Sequence, residues 1–352
     1  EKTKDFLQGE PILSKMAMIV KEKLDEHGVC ERVKRRLIMD CRRSGVNDLV
    51  RLEHRMVLPR LSDVCDDLLH LARDAQQSAP EVLLELFVID VKDAFWQLPL
   101  ASKERRYFVL RHKGAFLVFL RLAQGSRGAP LAWGRFIALV ARLTSGIIWP
   151  HEARLEIYVD DPILPVVGTA PKRNRLIALF VLVWSCLGLD LAFNKAKRGQ
   201  CVEWIGASVT ASRLFVQIEI KQETIELLLS TTLEFLGSNV VPIKSLRSFL
   251  GRCSHVSTIV LTWRPFLNQM WSALASESEN TNAPHGTVWT KQIYHSLTWI
   301  KAFLQRTQGS LSRLYKLRSF TGQGDKVRIV FDASPWGLGC YLMKNDRPVA
   351  WL

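Results

Sequence analysis

The chain has 352 residues, of which 48% are hydrophobic, and it carries a formal net charge of +14 at pH 7. This apolar content excludes a disordered tail, and the length allows a large core and more than one domain. The basic balance makes a polyanion the natural partner, although each basic cluster taken alone is more often a solvated surface.

The cysteines and the apolar segments argue against several other classes. Seven cysteines lie scattered with no CxxC pair or His–Cys ligand spacing, so we expect reduced thiols in an intracellular protein. The longest apolar segment, 176–189, is too short to span a bilayer comfortably, so we expect a buried helix and no membrane partner. The first residue is Glu1 and the last stretch reads as an unfinished domain, so we interpret the chain as a fragment of a larger polyprotein.

The first two thirds of the chain are predicted to be mixed α/β. Residues 1–80 read as charge-rich helices and short strands. Residues 81–210 alternate apolar strands with helical stretches, and within them 105–122 reads as a hairpin with a turn at Lys113-Gly114.

The last third is predicted to contain a helical region, a linker followed by a helix, and a final strand with a hairpin. Residues 211–275 are mainly helical, with apolar side chains at helical spacing. A polar, Pro-ended segment at 276–284 reads as a linker and precedes an amphipathic helix near 288–304. A strand then ends at Asp332 and is followed by a Gly-rich hairpin.

Three aspartates next to apolar strand segments carry the main chemical signal. Asp160 and Asp161 interrupt one apolar stretch, and Asp90 ends another about seventy residues upstream. Carboxylates beside core residues persist most readily where cations neutralise them. Oxygen ligands of this kind suit two Mg²⁺ ions, with Mn²⁺ as the alternative, and a pair of such ions serves in-line phosphoryl displacement. The pattern therefore indicates nucleotidyl transfer.

The geometry of a strand limits how Asp160 and Asp161 can act together. Neighbouring side chains of an extended strand point to opposite faces, so both can face a metal only in the tight turn of a hairpin. Pro162 supports a turn at this place. For the dipeptide alone, an exposed turn without a metal is the simpler interpretation.

Five segments resemble, in order and spacing, motifs A to E of reverse transcriptases, and a sixth resembles the first strands of a ribonuclease H domain. Ala123 stands where motif B usually has a proline. The segments are 90–100 for motif A, 124–130 for B, 158–161 for C, Gly188-Leu189 with Lys195 for D, 204–206 for E, and 327–339 for ribonuclease H.

The resemblance implies an α/β (α+β) right-hand polymerase fold with fingers, a ferredoxin-like palm, a helical thumb and a truncated ribonuclease H-like start. It favours a retroelement of the LTR or tyrosine-recombinase type, acting in the cytoplasm or nucleus within a retroelement particle or complex. The implied domains are 1–80 for the fingers, with 101–123 returning to them, 81–210 for the palm, 211–275 for the thumb, 276–326 for a linker or connection, and 327–352 for the ribonuclease H-like start.

The resemblance also implies the catalytic and nucleotide-binding residues. Asp90, Asp160 and Asp161 would be the catalytic, metal-binding carboxylates. Phe95 would be a steric gate against ribonucleotides, or else a core aromatic; Lys195 would contact pyrophosphate or be its general acid, or else be an ordinary exposed lysine. Asp93 can also cap a helix, and Gly125 can be a plain turn residue. The implied dNTP-binding residues are Arg36, Asp93, Ala94, Phe95, Gln124, Gly125 and Lys195.

A second implied group would hold the primer and template. For Trp204 the alternative is a buried strand residue, and for the basic residues of the helical region it is a solvated helix face. The group comprises Tyr158, Trp204, Ile205, Gly206, Lys244, Arg247 and Arg252. Asp332 resembles the first ribonuclease H carboxylate, but we expect no ribonuclease H activity from this chain.

These expectations define an RNA-directed DNA polymerase that adds dNTPs to a primer 3′-hydroxyl on an RNA or DNA template. Two alternatives stay open. One is a decayed retroelement copy that binds nucleic acid without polymerising, and the other is a structural nucleic-acid-binding subunit. The sequence does not indicate an oligomeric state.

Overall fold

The computed structural model describes residues 6–24, 30–76, 79–275, 283–307 and 309–351, with backbone alone for 21–24, 30–32 and 34. The described α-helices are α1 (Leu61–Gln76), α2 (Ala94–Gln97), α3 (Ala129–Ser145), α4 (Ala170–Cys186), α5 (Gln222–Leu236), α6 (Ile243–Val256), α7 (Arg264–Ala275), α8 (Thr290–Leu304) and α9 (Leu317–Phe320). Short 3₁₀ helices lie at Val46–Asp48, Ser102–Tyr107 and Leu261–Trp263.

The described strands form five sheets. The strands are β1 (Leu13–Leu24), β2 (Cys30–Asp40), β3 (Leu83–Val91), β4 (Val109–His112), β5 (Ala115–Val118), β6 (Glu156–Tyr158), β7 (Asp161–Gly168), β8 (Leu191–Gly199), β9 (Cys201–Trp204), β10 (Ala207–Ala211), β11 (Phe215–Ile220), β12 (Val240–Pro242), β13 (Thr287–Trp289), β14 (Ser312–Lys316), β15 (Val327–Ser334), β16 (Gly337–Lys344) and β17 (Arg347–Trp351). Their orders are β2-β1-β4-β5, β6-β7-β3-β8, β14-β11-β10-β9, β12-β13 and β15-β16-β17.

Strand β3 is covered on both faces, which explains its nearly continuous apolar sequence. Leu86 and Val88 belong to a core cluster that includes residues of α1, whereas Phe87 and Ile89 belong to a second cluster with residues of α3 and α4. This alternation follows the two-residue period of a strand. The sheet therefore lies between two helical layers and presents the carboxyl end of β3, with Asp90, at its edge.

The N-terminal strands are longer than predicted. The expectation of short strands is wrong, because β1 has 12 residues and β2 has 11, and they pair as one antiparallel hairpin. Neighbouring side chains on opposite faces, such as Met18 and Ile19, are both exposed. A hairpin that is exposed on both faces lacks the alternation of apolar and polar residues by which a strand is recognised.

The hairpin predicted within 105–122 is confirmed. Strands β4 and β5 pair around Lys113-Gly114, which have φ of 48° and 82°. Two positive φ values in a two-residue loop match the right-handed twist of the flanking strands. Leu13 of β1 pairs in parallel with Val109 of β4, so the two hairpins form one sheet.

The segment after the predicted linker packs with what precedes it. Strand β14 pairs with β11, and α8 contributes buried residues such as Ile293 and Leu297 to the same core cluster as α5, α6 and α7. The predicted amphipathic helix near 288–304 is confirmed as α8. Residues 276–282 of the predicted linker lie outside the described part.

A buried carboxylate ties α4 to the central sheet. Glu85 of β3 accepts hydrogen bonds from Arg173 of α4 at 2.8 Å and from Arg198 of β8 at 2.7 and 2.8 Å. The hydrogen bonds from Arg198 outweigh the effect of desolvation and, with the one from Arg173, hold the pKa of Glu85 below its usual value. Arg173 and Arg198 therefore form ion pairs within the protein through Glu85.

Three further features bear on the expectations from sequence. Among the described residues, no helix combines the length and apolar character needed to cross a membrane. The six cysteines whose side chains are described are all unpaired. Strands β15 to β17 form a sheet of their own, and most of their side chains are exposed.

Candidate active site

The hairpin turn predicted at Asp160-Asp161 is present, but it lies one residue earlier in the chain. Tyr158 at the end of β6 pairs with Asp161 at the start of β7, so Val159 and Asp160 form the loop between them. Val159 has φ of 60°, a conformation that β-branched residues rarely adopt. The indole N–H of Trp133, on α3, donates to the Val159 carbonyl at 2.7 Å and helps to hold this conformation.

Pro162 does not form the turn, and that part of the prediction is wrong. It is the second residue of β7 and lies opposite Ile157 of β6. Val159, which takes the unusual backbone conformation, and Asp160 form the turn instead.

Asp90 lies beside this turn. The amide of Val91, at the end of β3, donates to the Asp160 carbonyl at 3.0 Å. The side chain of Asp90 forms an ion pair with the Lys195 ammonium of β8. Residues from three strands, more than a hundred positions apart at the extremes, are thus brought to one place.

Burial and mutual repulsion perturb the carboxylates of the turn. Desolvation, followed by repulsion from Asp90, raises the pKa of Asp160, while Lys195 and then Arg36 oppose this effect. Desolvation, Asp90 and Asp160 raise the pKa of Asp161 to about 7, opposed by Lys195 and Lys221. The site concentrates negative charge in partly desolvated surroundings, where a cation is favoured.

The carboxylates of this site are chemically suited to bind a divalent cation. Carboxylate oxygens are the ligands that Mg²⁺ and Mn²⁺ prefer. The charge concentrated at the site is negative, and a bound cation would neutralise it. Within the described residues, no three His, Cys, Asp or Glu side chains are gathered closely enough to hold an ion as they stand. Lys195 supplies the positive charge next to Asp90 in this structure.

Arg36 lies on β2, opposite Ile19, with its side chain exposed. The charge of Arg36 makes the smallest of the named contributions to the pKa of Asp160, and it lowers that pKa.

The segment after Asp90 forms the short helix α2, which lies next to two hydrophobic clusters. Asp93 stands at the N-cap position of α2 as predicted, but it has φ of 48° and its side chain makes no capping hydrogen bond. Ala94 is buried. Phe95 is half-buried and packs against the cluster beneath β3 and also against the cluster around Leu100. This position is compatible with both roles considered for the phenyl ring.

The Gln124-Gly125 loop is fixed against the end of β2. The Met39 amide donates to the Gln124 carbonyl at 2.9 Å, and the Asn47 side chain donates to the Gly125 carbonyl at 3.1 Å. Gly125 has φ of 111°, and a Cβ there would lie 2.0 Å from the Met39 carbonyl oxygen. Only glycine therefore fits this position. Asn47 was missed from the sequence because a lone asparagine in a turn gives no signal of a distant partner.

The Trp204–Gly206 segment forms the turn between β9 and β10, with φ of 37° at Ile205 and 82° at Gly206. Trp204 is only 1% exposed, and its indole N–H donates to the Asp161 carbonyl at 2.9 Å. Trp204 is therefore both a buried strand residue and a contact of the site. Tyr158 is half-buried and packs against the core cluster that contains Trp204.

The remaining predicted residues lie elsewhere. Lys244, Arg247 and Arg252 are exposed on α6. Asp332 lies in β15, opposite Gly339, in the separate C-terminal sheet.

Among known proteins, only solved structures show a similarity to this chain, and the similarity is one of fold. No family model matches the chain, and no curated protein matches it. A foamy viral protease-reverse transcriptase dRH in complex with double-stranded DNA has a TM-score of 0.53 at 16% identity, over 95% of this chain and 52% of that one. A foamy viral protease-reverse transcriptase with an RNA/DNA hybrid has a TM-score of 0.50 at 14% identity, over 97% and 39% of the chains. The same kind of protein with double-stranded DNA has a TM-score of 0.50 at 16% identity, over 95% and 60%.

This chain thus spans between 39% and 60% of the length of these foamy viral chains. At identities of 14% to 16%, the likeness shows the fold alone. The chain has the mixed α/β fold of reverse transcriptase structures.

Proposed function

We propose that this chain is the RNA-directed DNA polymerase of a retroelement, adding dNTPs to a primer 3′-hydroxyl on an RNA or DNA template. One observation carries the proposal: in a reverse transcriptase fold, the Asp160-Asp161 turn lies against the end of β3, next to Asp90. The retroelement type, and action in the cytoplasm or nucleus, belong to the same proposal.

The proposed architecture follows the predicted boundaries, with fingers at 1–80 and 101–123, a palm at 81–210 and a thumb at 211–275. Strands β1, β2, β4 and β5 make up the fingers sheet, and β3, β6, β7 and β8 the palm sheet. Because α8 and β14 share the core and sheet of the thumb segment, the described residues of the proposed connection at 276–326 form one unit with it. Residues 327–352 form the proposed ribonuclease H-like start.

Asp90, Asp160 and Asp161 would hold two Mg²⁺ ions, or Mn²⁺ ions, in the proposed site. Bound there, the ions supply charge neutralisation and activation of the primer hydroxyl. Arg36 and Lys195 would bind phosphate oxygens of a dNTP. Lys195 already lies at the site, where it forms an ion pair with Asp90. Gln124 and Gly125 would line the nucleotide pocket on a loop that β2 holds rigid.

The nucleic acid is proposed to run from the turn at Trp204–Gly206 along α6. The exposed Lys244, Arg247 and Arg252 would bind backbone phosphates, which gives affinity without sequence preference. The primer 3′ end would then lie beside Tyr158 and the aspartates.

The proposal is tested by measuring dNTP incorporation on a primed RNA template with Mg²⁺ and with EDTA. The native chain is expected to extend the primer only with the metal, and Asp160→Asn is expected to abolish extension while it still binds primed template. Asp346→Asn is the matched control, because Asp346 lies in an exposed turn of the C-terminal sheet. Silence from a folded native chain that binds primed template would contradict the proposal and favour the non-catalytic alternative.

Replacing Phe95 by Val is expected to reduce the discrimination against ribonucleotides. If the phenyl ring excludes the 2′-hydroxyl, its removal should lower the ratio of kcat/KM for dNTP over rNTP by up to about 100-fold. Phe87→Val is the control, because Phe87 is a buried aromatic of the same core cluster. It should lower the unfolding midpoint without changing that ratio. An unchanged ratio in Phe95→Val would leave Phe95 as a core residue.

A further inference from the structure

Two hydrogen bonds connect the turn that carries Asp161 to helix α6. The Trp204 indole N–H donates to the Asp161 carbonyl at 2.9 Å. One residue further, Nε2 of His255 lies 2.6 Å from the Ile205 carbonyl. A carbonyl oxygen can only accept, so the His255 Nε2 carries the proton. His255 belongs to the last turn of α6, the helix with the exposed Lys244, Arg247 and Arg252.

The Ile205-Gly206 turn needs such a partner. Both residues have positive φ, 37° and 82°, and that region is unfavourable for the β-branched Ile205. Strained backbone persists only where its surroundings determine it. The imidazole of His255 lies over the turn, since a Cβ on Gly206 would be 3.5 Å from its Nε2. The position of the turn is thus set in part by α6.

A displacement of helix α6 would be passed on to the Ile205-Gly206 turn and to the Asp161 backbone. One of its faces, which includes Leu246, Phe249, Leu250 and Cys253, is buried in the large core cluster, so the helix is held as a rigid element. Trp204 is buried in the same cluster, which fixes the other end of the connection. A displacement of α6 would reach the Asp161 backbone through His255 and Trp204.

We propose that His255 is a positioning residue that holds the Ile205-Gly206 turn at a fixed position between α6 and the carboxylates. The proposal rests on the proposed polymerase function. Nucleic acid bound along α6 sets its terminal nucleotide against the turn, and His255 keeps that turn at a fixed distance from Asp161. Without His255, primed template still binds through the basic residues of α6, but its 3′ end is misplaced.

The test compares His255→Ala with His255→Gln, which retains a side-chain N–H donor. His255→Ala is expected to lower kcat for dNTP incorporation about 10- to 100-fold, since small misplacements of reacting groups cost this much. The dissociation constant for fluorescein-labelled primed template should change less than about 2-fold, because phosphate contacts dominate affinity. His255→Gln should recover much of kcat. His295→Ala, which removes an exposed imidazole on α8, should leave both quantities unchanged.

Hydrogen–deuterium exchange provides a readout that is independent of polymerase activity. The amides of residues 201–211 should exchange faster in His255→Ala than in the native chain, and His255→Gln should restore much of the protection. Unchanged exchange and unchanged kcat in folded His255→Ala would overturn the inference. So would a loss of kcat that is equal in both variants. A native chain that extends no primer but shows the expected exchange pattern would contradict the polymerase proposal and keep the structural link.

Discussion

Asp90→Asn is expected to lower Mg²⁺-dependent primer extension by roughly 10³-fold or more, which is at the upper end of the effect of losing one charged group in a preorganised site. Asparagine keeps the size of the side chain but removes the only carboxylate that β3 contributes next to the turn. It also removes a charge that, together with the larger effect of desolvation, raises the pKa of both Asp160 and Asp161. The measurement is single-turnover extension of a primed RNA template.

Metal binding separates this effect from a folding defect. Titration of Mn²⁺, followed by electron paramagnetic resonance, should show weaker binding to Asp90→Asn than to the native chain, with equal unfolding midpoints. Asp66→Asn, an exposed carboxylate on α1, should leave extension and Mn²⁺ binding unchanged. Extension by Asp90→Asn at the native rate would rule out Asp90 as a catalytic residue.

Glu85→Gln is expected to lower the free energy of unfolding by about 3 kcal/mol at pH 7, because it leaves a buried arginine without its counter-charge. The side chains of Glu85 and Arg173 are each 12% exposed. Glu203→Gln is the matched control, since Glu203 also pairs with two cations but is 50% exposed. Exposed pairs contribute little, so the control should change the free energy of unfolding by less than about 1 kcal/mol. Urea denaturation of both variants makes the comparison, and equal effects would contradict the assignment.

The same pair should give stability a defined pH dependence. The folded-state pKa of Glu85 is depressed, so its contribution is fully present above the unfolded-state value, about 4.3 for glutamate, and is lost as the pH falls through the folded-state pKa. The native chain should therefore be more stable than Glu85→Gln at pH 7, and the difference should shrink below about pH 4. A difference that is constant from pH 7 to pH 3 would rule out the ionised pair as its source.

Features that depend on neighbouring residues could be predicted from the sequence. The turn at Asp160 follows from two carboxylates that cannot face one side of a strand, and the turn at Lys113-Gly114 follows from residues that accept positive φ. Helix α8 follows from its amphipathic period. In each case the decisive residues lie within a few positions of each other, where the period of the element is visible.

Features that join distant parts of the chain could not be predicted in this way. The ion pair of Lys195 with Asp90, the support of Gly125 by Asn47 and the bond from His255 to Ile205 each join residues at least 50 positions apart. None of these side chains is unusual in its local sequence. Their roles arise when the sheets and helices pack, and a single sequence holds no record of that packing.

The ion pairs on and around the β6-β7-β3-β8 sheet limit how strongly salt should weaken the binding of nucleic acid. Lys172 pairs with Glu152, Lys197 with Glu203, and Arg173 and Arg198 share Glu85. Cations already neutralised within the protein release few counterions from a polyphosphate. The slope of log affinity against log salt concentration should therefore reflect only the few basic side chains that contact phosphates, such as those on α6. The formal charge of +14 would overstate that number.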